Sequence, residues 1–180
     1  MRKLLESLKQ TFTQKTADNE VKEVNVESKD TTFVSPLSGK LLNIEEVPDQ
    51  VFSQRIMGDG FAIEPNCGKV VSPVNGTVAT LFHTKHAIGL VSDDGQEILI
   101  HFGIDTVNLG GEGFEALVSE GDKVKVGQTI LNVDIDKIKG KVPSLITPVI
   151  FTNLKENEKI SVEVGKEVKA GDKDIVSIVK

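Results

Sequence analysis

The chain has 180 residues, a formal net charge of -6, one cysteine and three histidines. That length buries a core without disulfide staples, and a lone Cys67 excludes an internal disulfide and a cysteine-rich zinc site. The acidic balance argues against nucleic acid, which needs a basic face to displace counterions, and no apolar run approaches the roughly 20 residues that span a bilayer. No signal peptide opens the chain, so a cytoplasmic protein is expected.

Residues 1 to 12 set Leu4, Leu5, Leu8 and Phe12 at helical spacing among Arg2, Lys3 and Lys9. The pattern predicts a short amphipathic helix that needs a surface, either its own domain, a partner or anionic lipid. Residues 13 to 32 are polar and read as a linker. From residue 33 to 180, short Val/Ile/Leu/Phe runs alternate with Gly, Pro, Asp and Asn, the texture of an all-β domain with tight turns. Brief helical turns are expected near Val51 to Ile56 and Asp136 to Lys139. Cys67 reads as a small buried or half-buried filler.

Two segment types recur. "SPLSGKL" at 35 to 41 returns as "SPVNGTV" at 72 to 78, and "EGDKVKVGQTIL" at 120 to 131 is echoed by "VGKEVKAGDKDIV" at 164 to 176. Two elements used twice predict an antiparallel sandwich or barrel with internally duplicated segments.

The stretch "HTKHAIGLVSDDGQEILIHFG", 83 to 103, reads as a β-hairpin with His86 on its first strand and His101 on its second. A two-residue loop at Asp93 and Asp94 sets the histidines directly opposite, with Cβ atoms about 4.5 to 5.5 Å apart. A three-residue loop, Asp93-Asp94-Gly95, shifts the register by one and turns them to opposite faces unless an irregularity intervenes. A neutral imidazole has one lone-pair nitrogen, usable as nucleophile or metal ligand, and a neighbouring ring N–H can donate to whatever attaches there. His83, flanked by Thr84 and Lys85, reads as exposed and inert.

The motifs "HFGIDTVNLGGEGFEALVSEGDKVKVGQ", "SPLSGKLLNIEEVPDQVFSQRIMGDGFAI" and "TPVIFTN", with Thr84, His86 and Ile88, resemble the glucose-type enzyme IIA family of the bacterial phosphoenolpyruvate:sugar phosphotransferase system. The resemblance implies an all-β sandwich and a phosphocarrier. His101 would accept a phosphoryl group on Nε2 from the phosphocarrier protein HPr and pass it to the IIB domain of a IIB/IIC sugar permease. An Nδ1–H bond to a nearby backbone carbonyl, such as that of Gly103, would free Nε2. His86 would steady the phosphoryl oxygens and Thr84 would orient His86. Partner docking is implied at Val51, Phe52, Ile56, Met57, Phe82, Ile88 and Val107, with Asp49 and Asp105 as an acidic rim. No cofactor is required. The family also allows regulatory binding of permeases or metabolic enzymes, zinc shared between His86, His101 and a partner's carboxylate, and weak membrane contact through residues 1 to 12.

A zinc hydrolase is the main rival, with two histidines and a carboxylate such as Asp105 around an open position. It lacks a third histidine at ligand spacing and an obvious general base. A biotinyl or lipoyl carrier, prompted by "EGDKVKVGQTI", lacks a lysine at the hairpin tip, and "GGEGF" at 110 to 114 precedes no helix that would hold a nucleotide phosphate.

Overall fold

The computed structural model describes residues 33 to 179. The expected amphipathic helix at 1 to 12 and the linker at 13 to 32 lie outside these residues. The described strands are β1 (Gly39–Asn43), β2 (Asp59–Pro65), β3 (Lys69–Val71), β4 (Gly76–Leu81), β5 (Ala87–Ser92), β6 (Glu97–His101), β7 (Phe114–Ala116), β8 (Lys123–Val124), β9 (Thr129–Val133), β10 (Thr147–Phe151), β11 (Lys159–Val162), β12 (Glu167–Val168) and β13 (Val176–Val179). Helical turns fall where expected, at α1 (Gln50–Ser53) and α2 (Ile135–Ile138), with further 3-10 turns at Ile44–Glu46 and Thr106–Leu109.

Among the described residues a large antiparallel sheet runs β12-β1-β2-β10-β6-β5-β4-β8 and a smaller one runs β3-β9-β7. The principal core lies between them: Phe61, Ile63, Ile98, Ile100, Val149 and Phe151 of the large sheet meet Val70, Phe114, Leu131 and Val133 of the small one. Alternate residues of the same strands, Ala62, Leu99 and Ile150, face the other way into a second cluster with Leu42, Ile44, Phe52 and Ile104. Burial on both faces explains why β6 and β10 read as unbroken apolar runs rather than as alternating ones.

The duplication is literal down to single hydrogen bonds. Ser35 Oγ donates to the Leu37 carbonyl and Ser72 Oγ to that of Val74, each at 2.7 Å. Val34 N–H donates to Pro73 C=O, and Val71 N–H returns the bond to Pro36, both at 2.9 Å. The second repeat pair behaves alike: Gly39 pairs with Val168 and Gly76 with Val124. Exchanging the copies maps β12 onto β8, β1 onto β4, β2 onto β5 and β10 onto β6, so an approximate twofold passes through the central Val149↔Ile100 pair. By that operation the counterpart of His101 is Ile150. The scaffold is repeated, whereas the imidazole is not.

One expectation is corrected here. Cys67 is exposed, because β2 ends at Pro65 and the chain bends outward through Asn66 before β3.

Candidate phosphoryl-transfer site

His101 ends β6 on the face that carries the second apolar cluster. The hairpin takes the three-residue loop: Val91 pairs with Glu97, Gly95 adopts φ 91°, and Ala87, not His86, stands opposite His101. The direct cross-strand pairing of the two histidines is therefore replaced by a different device. The ladder stops at Ala87, His86 leaves the regular strand, and Lys85 before it adopts a left-handed φ of 57°. This irregularity returns the His86 ring to the His101 side, with ring centroids 4.8 Å apart at 81°.

Each ring is held through Nδ1. His101 Nδ1 lies 2.8 Å from the Gly103 carbonyl, an acceptor only, so the proton sits on Nδ1 and the lone pair on Nε2. His86 Nδ1 lies 2.6 Å from Thr84 Oγ1, while its Nε2 is buried without a hydrogen-bond partner among the described residues. A hydroxyl can serve either tautomer of His86. With Thr84 O–H donating, Nε2 carries a proton that meets no acceptor among the described residues, and an unused buried donor costs free energy until a ligand accepts it.

Apolar rings enclose the pair. Phe52 lies 5.1 Å from His101 and Phe82 5.4 Å from His86, centroid to centroid. Asp49 caps α1 by accepting from Val51 N–H at 2.8 Å, which sets Phe52 against the His101 ring. Past α1, Arg55 takes a φ of 54° and bridges Glu45 and Asp59 at 2.6 Å each, tying the segment's end to its start and to β2.

Burial drives both imidazoles toward the neutral form. His86 is held down to about 3, by desolvation first and then by His101. His101 is also lowered, by desolvation, against which the Gly103 carbonyl and the charges of Asp49 and Asp105 work. The unfolded chain protonates His86 near pH 6.5 whereas the fold keeps it neutral, so this contribution to stability is complete above pH 6.5 and is lost as pH falls toward 3. Urea unfolding at pH 7 and pH 5 is expected to show wild type losing about 2 kcal/mol more than His86→Gln over that interval. Identical losses would mean that His86 is not held neutral.

Gly103 takes φ 70°, and a Cβ there would stand 2.8 Å from Thr106 Cγ2 and 3.0 Å from the Ser144 carbonyl. Gly103→Ala is expected to cost roughly 1 to 3 kcal/mol, read as a lower denaturant midpoint at unchanged slope.

The structure sorts the residues named from sequence. Thr84, His86 and His101 converge. Asp49 and Asp105 are half-buried, and both act electrostatically on His101. Val51, Met57, Phe82 and Val107 are half-buried and Ile56 is 43% exposed, so these remain accessible to a partner. Ile88 is not: β5 turns it with Leu90 into the principal core, and it is fully buried. Phe52 is 5% exposed and forms the floor under His101 instead of an open docking patch. His83 is exposed.

Sequence reasoning missed Thr106 and Thr147, both fully buried and both bonded to the backbone around Gly103. The signal for Thr147 was present: a single hydroxyl in the apolar run "TPVIF".

No described helix is long and apolar enough to cross a membrane. Nor do three His, Cys, Asp or Glu side chains gather to hold a metal among the described residues. A neutral imidazole with its lone pair on Nε2, a neighbouring ring whose outer nitrogen has no partner among the described residues, and half-buried Asp49 and Asp105 nearby form an arrangement that can accept and hold a transferred group.

Comparison with known proteins agrees. The family described as "phosphoenolpyruvate-dependent sugar phosphotransferase system, EIIA 1" matches residues 31–157. The glucose-specific EIIA component of Bacillus cereus is 50% identical over 147 residues, covering 82% of this chain and 89% of that protein. The corresponding component of Halalkalibacterium halodurans is 44% identical over 161 residues, 89% of this chain and 93% of that one. A glucose-specific EIICBA component of Staphylococcus saprophyticus is 53% identical over 136 residues, which is 76% of this chain and 20% of that longer protein. Among solved structures, glucose permease IIA from Mycoplasma capricolum matches with a TM-score of 0.76 at 40% identity, covering 85% of this chain and 99% of that one. The chain belongs to the EIIA 1 family, phosphotransferase components that carry phosphoryl groups between proteins and work with IIB and IIC permease domains. The zinc-hydrolase reading is thereby set aside.

Proposed function

We propose that His101 is the phosphoryl acceptor, that phospho-HPr is the donor, and that the IIB domain of a glucose-type permease receives the group. The observation that carries this reading is the Nδ1 contact of His101 with the Gly103 carbonyl, which leaves Nε2 as a neutral nucleophile at pH 7. Nε2 attacks phosphorus, a P–N bond forms, and the P–N bond to the donor's histidine breaks with its electron pair returning to the donor ring. His101 retains its Nδ1 proton on Gly103, so no base is required. The transition state is loose and its charge lies on the phosphoryl oxygens, so in-line positioning and one aimed N–H supply most of the help. The otherwise unpaired Nε2–H of His86 is that donor, with Thr84 fixing its tautomer.

Val51, Ile56, Met57, Phe82 and Val107, rimmed by Asp49 and Asp105, suit transient docking of basic, partly apolar partner surfaces. Transfer takes place at the cytoplasmic face of the membrane, and residues 1 to 12 offer an amphipathic contact beside the permease. In the unphosphorylated state the surface is free to bind regulated permeases or enzymes. The two imidazoles then also fit a zinc ion completed by a partner's carboxylate, because the unpaired His86 Nε2 supplies a second donor once Thr84 accepts the proton at Nδ1.

Incubation with phosphoenolpyruvate, enzyme I and HPr is expected to add one acid-labile, alkali-stable phosphoryl group, read by intact mass, which a IIB domain then removes. A wild-type protein that takes up none under these conditions, while binding zinc tightly by itself, is the outcome against this reading.

A further inference from the structure

The reactive tautomer of His101 depends on where the Gly103 carbonyl points, and Gly103 sits at φ 70°, past the end of β6, where a single bridge between Ile104 and Ser144 replaces the regular ladder. The preceding peptide is gripped at both of its polar groups. Thr106 Oγ1 donates to the Phe102 carbonyl at 2.8 Å, and Thr147 Oγ1 accepts from Gly103 N–H at 3.3 Å while donating to the Leu145 carbonyl at 2.9 Å. Both threonines are fully buried. Next along the chain, Ile104 N–H donates to the Ser144 carbonyl at 2.9 Å.

We propose that Thr106 and Thr147 are positioning residues for His101: their hydroxyls clamp the Phe102–Gly103 peptide from opposite sides, hold the Gly103 carbonyl on Nδ1, and so keep the lone pair on Nε2. Neither touches the transferred group. Their placement on separate elements, the 3-10 turn after β6 and the start of β10, makes the clamp bridge two strands. Valine matches threonine in shape and lacks the hydroxyl. Either replacement therefore removes one grip, at Thr147 leaving Gly103 N–H without its partner and at Thr106 leaving the Phe102 carbonyl so. This inference rests on His101 as the acceptor.

The test compares wild type, Thr147→Val, Thr106→Val and Thr147→Ser by nitrogen-15 NMR of the His101 ring without any donor, and separately by initial rate of phosphoryl uptake from phospho-HPr. Wild type should show the proton on Nδ1 only. The valine variants should populate the Nε2-protonated form and lose roughly five- to tenfold in rate. Thr147→Ser, which restores the hydroxyl, should recover both. A folded valine variant with the wild-type tautomer overturns the proposal at any rate, because slower uptake then has another cause. Failure of both valine variants to fold also overturns it, since the threonines would then be structural. The ring tautomer is read without phosphate, so wild type with Nδ1–H intact and no phosphoryl uptake would count against the acceptor role and not against the clamp.

Discussion

His101→Ala is expected to take up no phosphoryl group from phospho-HPr, a loss beyond the sensitivity of intact-mass detection. The expectation follows from the proposed covalent step, in which the attacking atom is Nε2 of His101 and the alternatives nearby cannot replace it. His86 is held neutral with its pKa near 3, but its Nδ1 is engaged by Thr84 and the proposed arrangement uses its Nε2 as a donor. His83 is exposed and outside the apolar enclosure. The variant should fold, because the His101 ring packs chiefly on Phe52 and His86 at the edge of the second cluster and not inside the principal core. Phosphate uptake by folded His101→Ala at an appreciable rate would assign the nucleophile to another residue.

His86→Ala is expected to slow both transfers by roughly 10²- to 10³-fold, the usual cost of deleting one aimed donor from a site that stabilises developing charge. The two steps will look different at the bench. Loading still reaches completion, because phosphoenolpyruvate regenerates the donor throughout. Onward transfer to a IIB domain is a single discharge and stalls visibly. Thr84→Val should show a weaker version of the same pattern, since it leaves the ring in place but frees its tautomer. Discharge of phosphorylated His86→Ala at the wild-type rate would remove His86 from the chemistry and leave it as packing for Phe82 and His101.

The parts of the fold that could be read in advance were those encoded locally. The twin Ser-Pro segments each carry a serine that closes its own turn, so identical residues make identical bonds wherever they sit. The helical turn expected near Val51 to Ile56 is likewise local: Asp49 caps α1 through a bond to Val51 N–H two residues on. What the sequence left open depended on sheet geometry. The hairpin register turned on a loop one residue longer, stabilised by Gly95 in a positive-φ conformation, and composition does not weigh that against the two-residue alternative. The family resemblance set Ile88 with Ile56 on the docking surface, and residue type does not separate the two. The strand's two-residue period sends one into the core, while the other follows a helical turn and stays exposed.

The sequence by itself determined the chemistry on offer: two imidazoles near one hairpin, a threonine two residues before one, a glycine two residues after the other, and a duplicated β scaffold. Only the tertiary structure decided which nitrogen is free and which is spent. The break in the strand brings the His86 ring against His101, Phe52 arrives beneath His101 from the other half of the duplication, and Thr147, 46 positions beyond His101, reaches the Gly103 peptide across the sheet. Each is a long-range contact whose strength comes from burial away from water, and neither residue identity nor spacing along the chain carries that information.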